Sequence, residues 1–389
     1  MKSRDAIYSG YDNVFVFGGL AQDAMSRLGP ALHSLLRTSD AVRVPSGADL
    51  DLLVARSITD AGDGLSERDL IIEAHRRGYA GLPLAITVSG NSIAVMLRHS
   101  VFDGSGAIEA IGHLAAVAAG APAPEPDRRP LAKRATAALL TVLNRASLDA
   151  FRRAQHDAHS VVSVTPPHSD LAHSSESAGF VAFELDDDDQ RTLMRAKERG
   201  RKGRSSKNTR IASIGVSALR AVQRGDADMP VSIPIDLRHL VDGRVRGNFV
   251  SVMPFGSLQT TDWAPSAITA RLAALSASNA PAVSLLIAVY RRGRDRLKSV
   301  LRRAPYQPGY AVSISLLNSK LALPETLWAG RGSFGCATIG PWPSATFVFV
   351  ATMGGTPRVS VWDESGLFDL TRFERAFRDE LESRAALAP

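Results

Sequence analysis

Arg98-His99-Ser100-Val101-Phe102-Asp103-Gly104 lies between an apolar extended run and a helical one, and the reading of the whole chain turns on it. Upstream, Leu82 to Arg98 splits at Ser89-Gly90-Asn91-Ser92 into two β-rich runs, the pattern of a hairpin whose second strand delivers His99. Downstream, SGAIEAIGHLAAVAAG is helical until GAPAPEPDRRP, Gly120 to Pro130, breaks it with prolines. His99 is therefore expected on a turn at a strand end rather than inside a sheet. A neutral imidazole titrates near physiological pH, so from such a turn it can take a proton from an attacking hydroxyl or amine. Spacing turns Asp103 away from His99, and its carboxylate is expected to brace the turn through a cation. Gly104 would let the backbone take positive φ, or leave room for a substrate to pass. A bare polar strand-to-helix turn has the same short pattern, so the surrounding chain has to decide.

Working outward, Asn13 to Gly19 reads as a strand, Ala21 to Arg37 as a helix, and Ser66 to Arg77 as a second helix with a serine at its start. Leu131 to Gln155 reads as a long basic amphipathic helix, and His156 to Gly179, rich in Ser, His and Pro, as a linker. A second unit restarts with a strand at Phe180 to Leu185, and Asp186 to Asp189 open a helix whose positive dipole end favours carboxylates. A basic loop, RGRKGRSSK from Arg199 to Lys207, leads to a helix over Asn208 to Gln223. Strands follow at Met229 to Leu237 and Phe249 to Pro254, then helices opened by proline at Pro265 to Ser278 and Pro281 to Arg302. Strands at Ala311 to Leu317, Ala345 to Met353 and Arg358 to Trp362 and a helix over Thr371 to Ala386 close the chain. Long helices mixed with strands, without strict βαβ alternation, indicate two α+β units with mixed sheets, residues 1–178 and 179–389.

Composition bounds the function. With 389 residues, 45% hydrophobic and 22% charged, the chain can bury a sizeable core and is neither disordered nor collagen-like. No apolar run approaches the roughly 18 residues of a membrane helix, and the opening MKSRDAIYSGYDN lacks the apolar centre of a secretory signal, so a cytoplasmic protein is expected. The single cysteine, Cys336, excludes an internal disulfide and a cysteine-built metal site. No metal is expected either at Asp186 to Asp189 or at His156 and His159, which lack partners at ligand spacing. The apolar side of the basic helix, Leu139, Leu140 and Leu143, suits core packing better than a membrane surface. A net charge of +7 favours anionic partners. The basic loop has no interleaved aromatics, which argues against nucleic acid. P-loop, nucleophile-elbow and zincin motifs are absent from the sequence.

The motif from His99 to Gly104 resembles the H-x-x-x-D-G motif of the CoA-dependent acyltransferase superfamily, which includes chloramphenicol acetyltransferase, condensation domains, wax ester synthases and polyketide-associated acyltransferases. Further stretches come in that family's order. MPVSIPIDLRHL, Met229 to Leu240, looks like its strand ending in D-L-R, and GNFVSVMP, Gly247 to Pro254, like its G-N strand. SISLLNSKL, Ser313 to Leu321, is similar to its S-N-x-G strand, and SVWDESGLFD to its closing strand and helix. Three features depart from the pattern: Arg98 stands where the family often has a first histidine, Asn318-Ser319-Lys320 matches imperfectly, and the chain is shorter than many relatives.

The resemblance implies two chloramphenicol-acetyltransferase-like subdomains arranged as a V around a central tunnel. It implies His99 as general base, Asp103 as a structural acid paired with Arg238, and Arg238, Asn248, Ser251 and Asn318 on the substrate side. The donor would be acyl-CoA or an acyl-phosphopantetheine carrier, used as co-substrate with no tightly bound cofactor, and the acceptor a small molecule. Arg201, Lys202, Arg204 and Lys207 would meet the donor's phosphates or an acidic carrier protein. An amide-forming condensation enzyme, or a non-catalytic carrier-docking platform, would share the same architecture.

Overall fold

A computed structural model describes residues 10–39, 42, 44, 47–102, 104–122, 139–159, 178–196, 205–226, 228–241, 250–298, 311–319, 322–340 and 345–387. The hairpin expected from sequence is present: β3 (Leu84–Ser89) and β4 (Ser92–Arg98) pair antiparallel in the register Leu84↔Leu97 to Ser89↔Ser92. They join β1 (Asp12–Leu20), β2 (Ile58–Asp60) and β9 (Trp328–Ile339) in a sheet of order β2-β3-β4-β1-β9. On one face Phe15, Phe17, Ile86, Ile93, Val95 and Leu97 pack under α2 (Leu28–Thr38) and α5 (Gly104–Ala118). On the other, Val14, Val16, Ala94 and Met96 meet Leu70, Ile71 and Ala74 of α4 (Glu67–Arg77), which Ser66 caps at the Asp69 amide. Strict alternation along β1 and β4 thus feeds two separate cores.

The expected helix over Ala21 to Arg37 is two helices, α1 (Gln22–Ser26) and α2, broken at Arg27. Pro30 explains the restart, because proline is tolerated in the first turn of a helix and not in its interior. A helix that the pattern did not announce, α3 (Leu50–Ser57), is capped by Asp49 and leads into β2. The basic helix over Leu131 to Gln155 is interrupted where Asn144 and Ser147 exchange backbone-to-side-chain hydrogen bonds of 2.9 Å, a new helix start. The resulting α6 (Arg145–His159) runs into the segment expected as linker.

The second sheet has the order β5-β11-β10-β8-β6-β7, built from β5 (Gly179–Glu184), β6 (Pro230–Asp236), β7 (Val250–Ser257), β8 (Ala311–Ser319), β10 (Ala345–Met353) and β11 (Thr356–Asp363). It is mixed: β8 runs parallel to β6 and β10, the other pairs antiparallel. Its outer face, including Val231, Ile233, Ile314, Val348, Val350, Val359 and Val361, is covered by α8 (Lys207–Val222) and α11 (Phe373–Ala386), with Phe373 and Phe377 fully buried. Between β5 and α8 lies α7 (Asp187–Arg195), the helix that the acidic run was expected to open; Asp186 and Asp189 close its start as a reciprocal capping box. Following β7 are α9 (Pro265–Ala277) and α10 (Ala280–Lys298).

The long strand β9 was not expected from sequence, and it sets the topology. It belongs to the second half of the chain yet pairs antiparallel with β1 along Asp12↔Ile339 to Gly18↔Ser333. From there it crosses the inner face of the second sheet: the Ser360 hydroxyl donates to the Cys336 carbonyl and accepts from the Cys336 amide, each at 3.0 Å. Gly335 makes the crossing possible, since a Cβ there would sit 2.6 Å from Ala182 and 2.7 Å from Phe180. The sheets therefore do not divide at residue 178. The architecture is α+β with two mixed sheets, as the sequence indicated.

Candidate active site

β4 is buried from Ile93 to Leu97 and ends at Arg98. The His99 amide donates to the Tyr11 carbonyl at 3.0 Å, and the amides of Val101 and Phe102 both turn back to the Arg98 carbonyl, at 2.9 and 3.0 Å. The chain thus leaves the sheet at His99 in a single tight turn. Phe102, 1% exposed, anchors that turn in the core under α2 and α5. Buried Asn13 straps it from the side: Nδ2 donates to the Phe102 carbonyl at 3.5 Å, and Oδ1 accepts the Thr338 hydroxyl at 3.0 Å. Packing and backbone bonding therefore place a half-buried imidazole, with Nδ1 enclosed by protein, at the mouth of α5.

Gly104 is the first residue of α5 and does not have positive φ, contrary to one of its two expected roles. A Cβ on Gly104 would meet nothing within 4 Å, so the space beside it is open. Asp103, between Phe102 and this helix, lies outside the described residues. So do Asn248, Arg201, Lys202 and Arg204, and the side chain of Asn318; the Asn318 backbone pairs with Thr352 in the second sheet.

Arg238 starts a 3₁₀ turn directly after β6, and its guanidinium Nη1 donates to Asp236 Oδ2 at 3.1 Å while its amide donates to Oδ1 at 2.9 Å. The same Asp236 Oδ2 accepts from the Ser105 hydroxyl at 3.3 Å. This brings the D-L-R strand end of the second sheet to the first turn of α5, six residues past His99. Ser105, Asp236 and Asn13 were not singled out from sequence. Short polar residues at element ends are too common to mark, and only the pairing of distant segments reveals them.

Two expected contacts are corrected. Ser251 pairs with Ile235 and shares its face with Met253 and Phe255, so it points into the outer core, 2% exposed, and not toward α5. Strand alternation decides this: Val252, 44% exposed, occupies the opposite face. Lys207 is committed to the fold, with Nζ donating to Gln190 Oε1 at 2.7 Å and to the Gly355 carbonyl at 2.9 Å, and burial lowers its pKa. Two of its three donors are consumed in tying α8 to α7 and to the β10–β11 turn.

Other titratable groups near the sheets have fixed roles. His113 in α5 is buried, 3.0 Å from the Ser34 hydroxyl, and burial lowers its pKa, which keeps it neutral. Burial pushes the Cys336 thiol well up, so it stays protonated and is no nucleophile. Behind His99, Asp12 accepts the Tyr79 hydroxyl at 2.6 Å and lies 3.5 Å from His75 Nδ1, while Arg98 stacks 4.4 Å above the Tyr79 ring. Among the described residues no cluster of three or more His, Cys, Asp or Glu side chains could hold a metal, and no single helix is long and apolar enough to cross a membrane.

No known family profile matches the chain, and no curated protein matches it in sequence. Solved structures do. Trichothecene 15-O-acetyltransferase from Fusarium sporotrichioides superposes with a TM-score of 0.64 at 10% identity, over 100% of this chain and 94% of that one. Polyketide synthase associated protein 5 from Mycobacterium tuberculosis gives 0.57 at 17% identity, over 99% and 98%. The epimerization domain from the third module of tyrocidine synthetase B gives 0.52 at 13% identity, over 98% and 92%. The chain, with its two mixed sheets, therefore shares the fold of these three structures.

Proposed function

We propose that this protein transfers an acyl group from a thioester, carried by CoA or by a phosphopantetheine arm, to the hydroxyl of a small molecule, with His99 as general base. The observation that carries the reading is the turn at residues 98–102, which lifts the imidazole out of β4 and sets it at the start of α5, with open space beside Gly104. The likeness in fold to an O-acetyltransferase supports it. The two halves then form a V whose central tunnel admits donor and acceptor from opposite sides.

His99 takes the proton of the acceptor hydroxyl as its oxygen attacks the thioester carbonyl. The carbon–sulfur bond then breaks, and the leaving thiolate takes the proton from the imidazolium, which regenerates the base. General-base assistance of this kind is worth roughly a hundredfold to ten-thousandfold, and holding both reactants at one imidazole removes much of the entropic barrier. No acyl-enzyme forms, in keeping with a buried, protonated Cys336. In this reading Asp103 is structural and pairs with Arg238, Asn318 lies on the acceptor side, and the basic residues Arg201, Lys202 and Arg204 meet donor phosphates or an acidic carrier. The reaction requires no metal or tightly bound cofactor.

Mass spectrometry of products after incubation with a panel of acyl thioesters and candidate alcohols and amines tests the assignment. Ester formation that needs His99 supports it. Amide products alone would move the protein to the condensation-type reading, and no product with any thioester in the panel would point to a non-catalytic docking role.

A further inference from the structure

α4 ends at Gly78, whose amide donates to the Ala74 carbonyl at 3.1 Å and whose φ of +69° breaks the helix. The next residue, Tyr79, packs at the margin of the core between α4 and the first sheet. Its hydroxyl donates to Asp12 Oδ1 at 2.6 Å, and its ring carries the Arg98 guanidinium 4.4 Å from the centroid. Asp12 and Arg98 are direct partners in the β1–β4 register, on the last rung before both strands end. One residue further out, the Tyr11 carbonyl accepts the His99 amide at 3.0 Å. Two more contacts hold the same rung: the Arg98 amide donates to the Pro83 carbonyl at 2.9 Å, and His75 Nδ1 lies 3.5 Å from Asp12 Oδ2. Tyr11 is seated in turn on Gly340, just past β9, where a Cβ would come within 2.2 Å of its ring.

We propose that Tyr79 is a positioning residue for His99: it clamps Asp12 with its hydroxyl and Arg98 with its ring, and so fixes the two strand ends between which the Tyr11 carbonyl holds the His99 amide. The clamp acts from the α4 side of the sheet, because Asp12 continues the row of Val14 and Val16, and Arg98 the row of Ala94 and Met96. One contact reaches β1 and the other β4, so a single side chain with few rotamers sets the spacing of both. A guanidinium suits the second contact, since it is flat and permanently charged and can lie on a ring while its outer edge stays in water; Arg98 is exposed. Burial first, and the Asp12 carboxylate second, raise the pKa of the phenol, which keeps it a donor through the neutral range. With the clamp loosened, the His99 amide parts from the Tyr11 carbonyl more often and the imidazole spends less time at the mouth of α5. The bearing on turnover rests on His99 being the base proposed above, whereas the hold on the His99 amide does not.

The first test uses the full chain labelled with ¹⁵N-histidine and no thioester, so its failure is separable from failure of the proposed reaction. Hydrogen exchange is followed at the His99 amide, assigned by its loss in His99→Gln, and at the amide of buried His113 inside α5, which reports global opening. Tyr79→Leu should speed exchange at His99 by about tenfold over any change at His113, the size expected when a hydrogen bond and a cation–π contact are lost together. Tyr79→Phe, which keeps the ring under Arg98, and Arg98→Gln, which keeps the hydroxyl on Asp12, should each give a smaller rise. Equal acceleration at His99 and His113, or unchanged exchange at His99 in Tyr79→Leu and Arg98→Gln alike, overturns the clamp. If Tyr79→Leu does not fold, Arg98→Gln decides alone, since its side chain is exposed. In the ester-forming reaction the same variants should lose kcat and keep the KM of donor and acceptor, and Arg98→Lys, with a cation still over the ring, should recover part of what Arg98→Gln loses. A loss confined to KM overturns the positioning role. Absence of turnover in the wild type would instead sink the proposed reaction, and the exchange rates would still decide the clamp.

Discussion

The Ser105 hydroxyl, in the first turn of α5, donates to Asp236 Oδ2 at 3.3 Å across the boundary between the two sheets, and the same carboxylate holds the backbone and guanidinium of Arg238. Asp236 is half exposed, so this hydrogen bond is modest in energy and its importance is geometric: it fixes the helix mouth beside His99 against β6. A double-mutant cycle with Ser105→Ala and Asp236→Ala should show coupling of about 0.5–1 kcal/mol in denaturant unfolding. Asp236→Ala alone should cost more than Ser105→Ala, since it also frees the Arg238 turn. Strict additivity would separate the two residues.

Replacing His99 by alanine should lower turnover by a factor of roughly a hundred to ten thousand while the melting temperature stays near wild type. The backbone bond to Tyr11 and the Phe102 anchor do not depend on the imidazole. Near-wild-type turnover in this variant would remove the general-base assignment.

Gly104→Leu should fold, because the residue has ordinary helical backbone geometry and a Cβ there meets no atom within 4 Å. The added side chain then projects into space that the proposed donor needs. Steady-state titration of the thioester should show a raised donor KM, or no transfer, at unchanged thermal stability, and an unchanged donor KM would place the donor path elsewhere.

Gly335→Val should be among the most damaging single changes in the fold. Its side chain would overlap Ala182 and Phe180, where β9 crosses the second sheet, and overpacking of a dense contact costs about 1–3 kcal/mol or more. Circular dichroism melts and the yield of soluble protein report this directly, and a melt coincident with wild type would mean that the crossing is looser than described.

Stability should also depend on pH through Glu364, which follows β11, accepts the Trp362 indole N–H at 2.9 Å and is pushed up to about 7 chiefly by burial. Its folded-state value near 7 lies above the ordinary 4.5, so the folded protein binds the extra proton and unfolding becomes easier as pH rises from about 4.5 to about 7, then levels off. Glu364→Gln keeps an acceptor for the Trp362 indole and removes the cost of a buried charge. The variant should gain on wild type across that window by on the order of 2 kcal/mol, allowing for partial solvent screening. Parallel denaturation curves at pH 5 and pH 8 check it, and a constant gap between the two proteins would contradict it.

How far the sequence carried the reading depends on the kind of signal. The β3–β4 hairpin, the Ser66 cap of α4 and the Asp186 cap of α7 rest on local patterns, and each is where the residues put it. β9 was invisible because WAGRGSFGCATI has three glycines in eight residues, which reads as loop. Gly335 answers to Ala182 and Phe180, neighbours far off in the chain, and no local pattern records that. The site divides in the same way. The placing of His99 on a strand-end turn was legible from a run of apolar residues followed by a polar turn. Ser105, Asp236 and Asn13 were not, since each acts through a partner between 89 and 325 positions away. Ser251 was misplaced because a motif match gives a strand and not which side of it faces inward.

The crossing of β9 also orders events during synthesis. Until residues 328–339 have been made, β1 has only β4 beside it, and its other edge carries unpaired amides and carbonyls next to Phe15 and Phe17. A chain growing at about 5–20 residues per second must protect that edge for many seconds, from its own second half and from other chains. Cutting the protein at the boundary suggested by its sequence would make the exposure permanent. A fragment ending near residue 178 should therefore aggregate, and a separately supplied second half that contains β9 should rescue it.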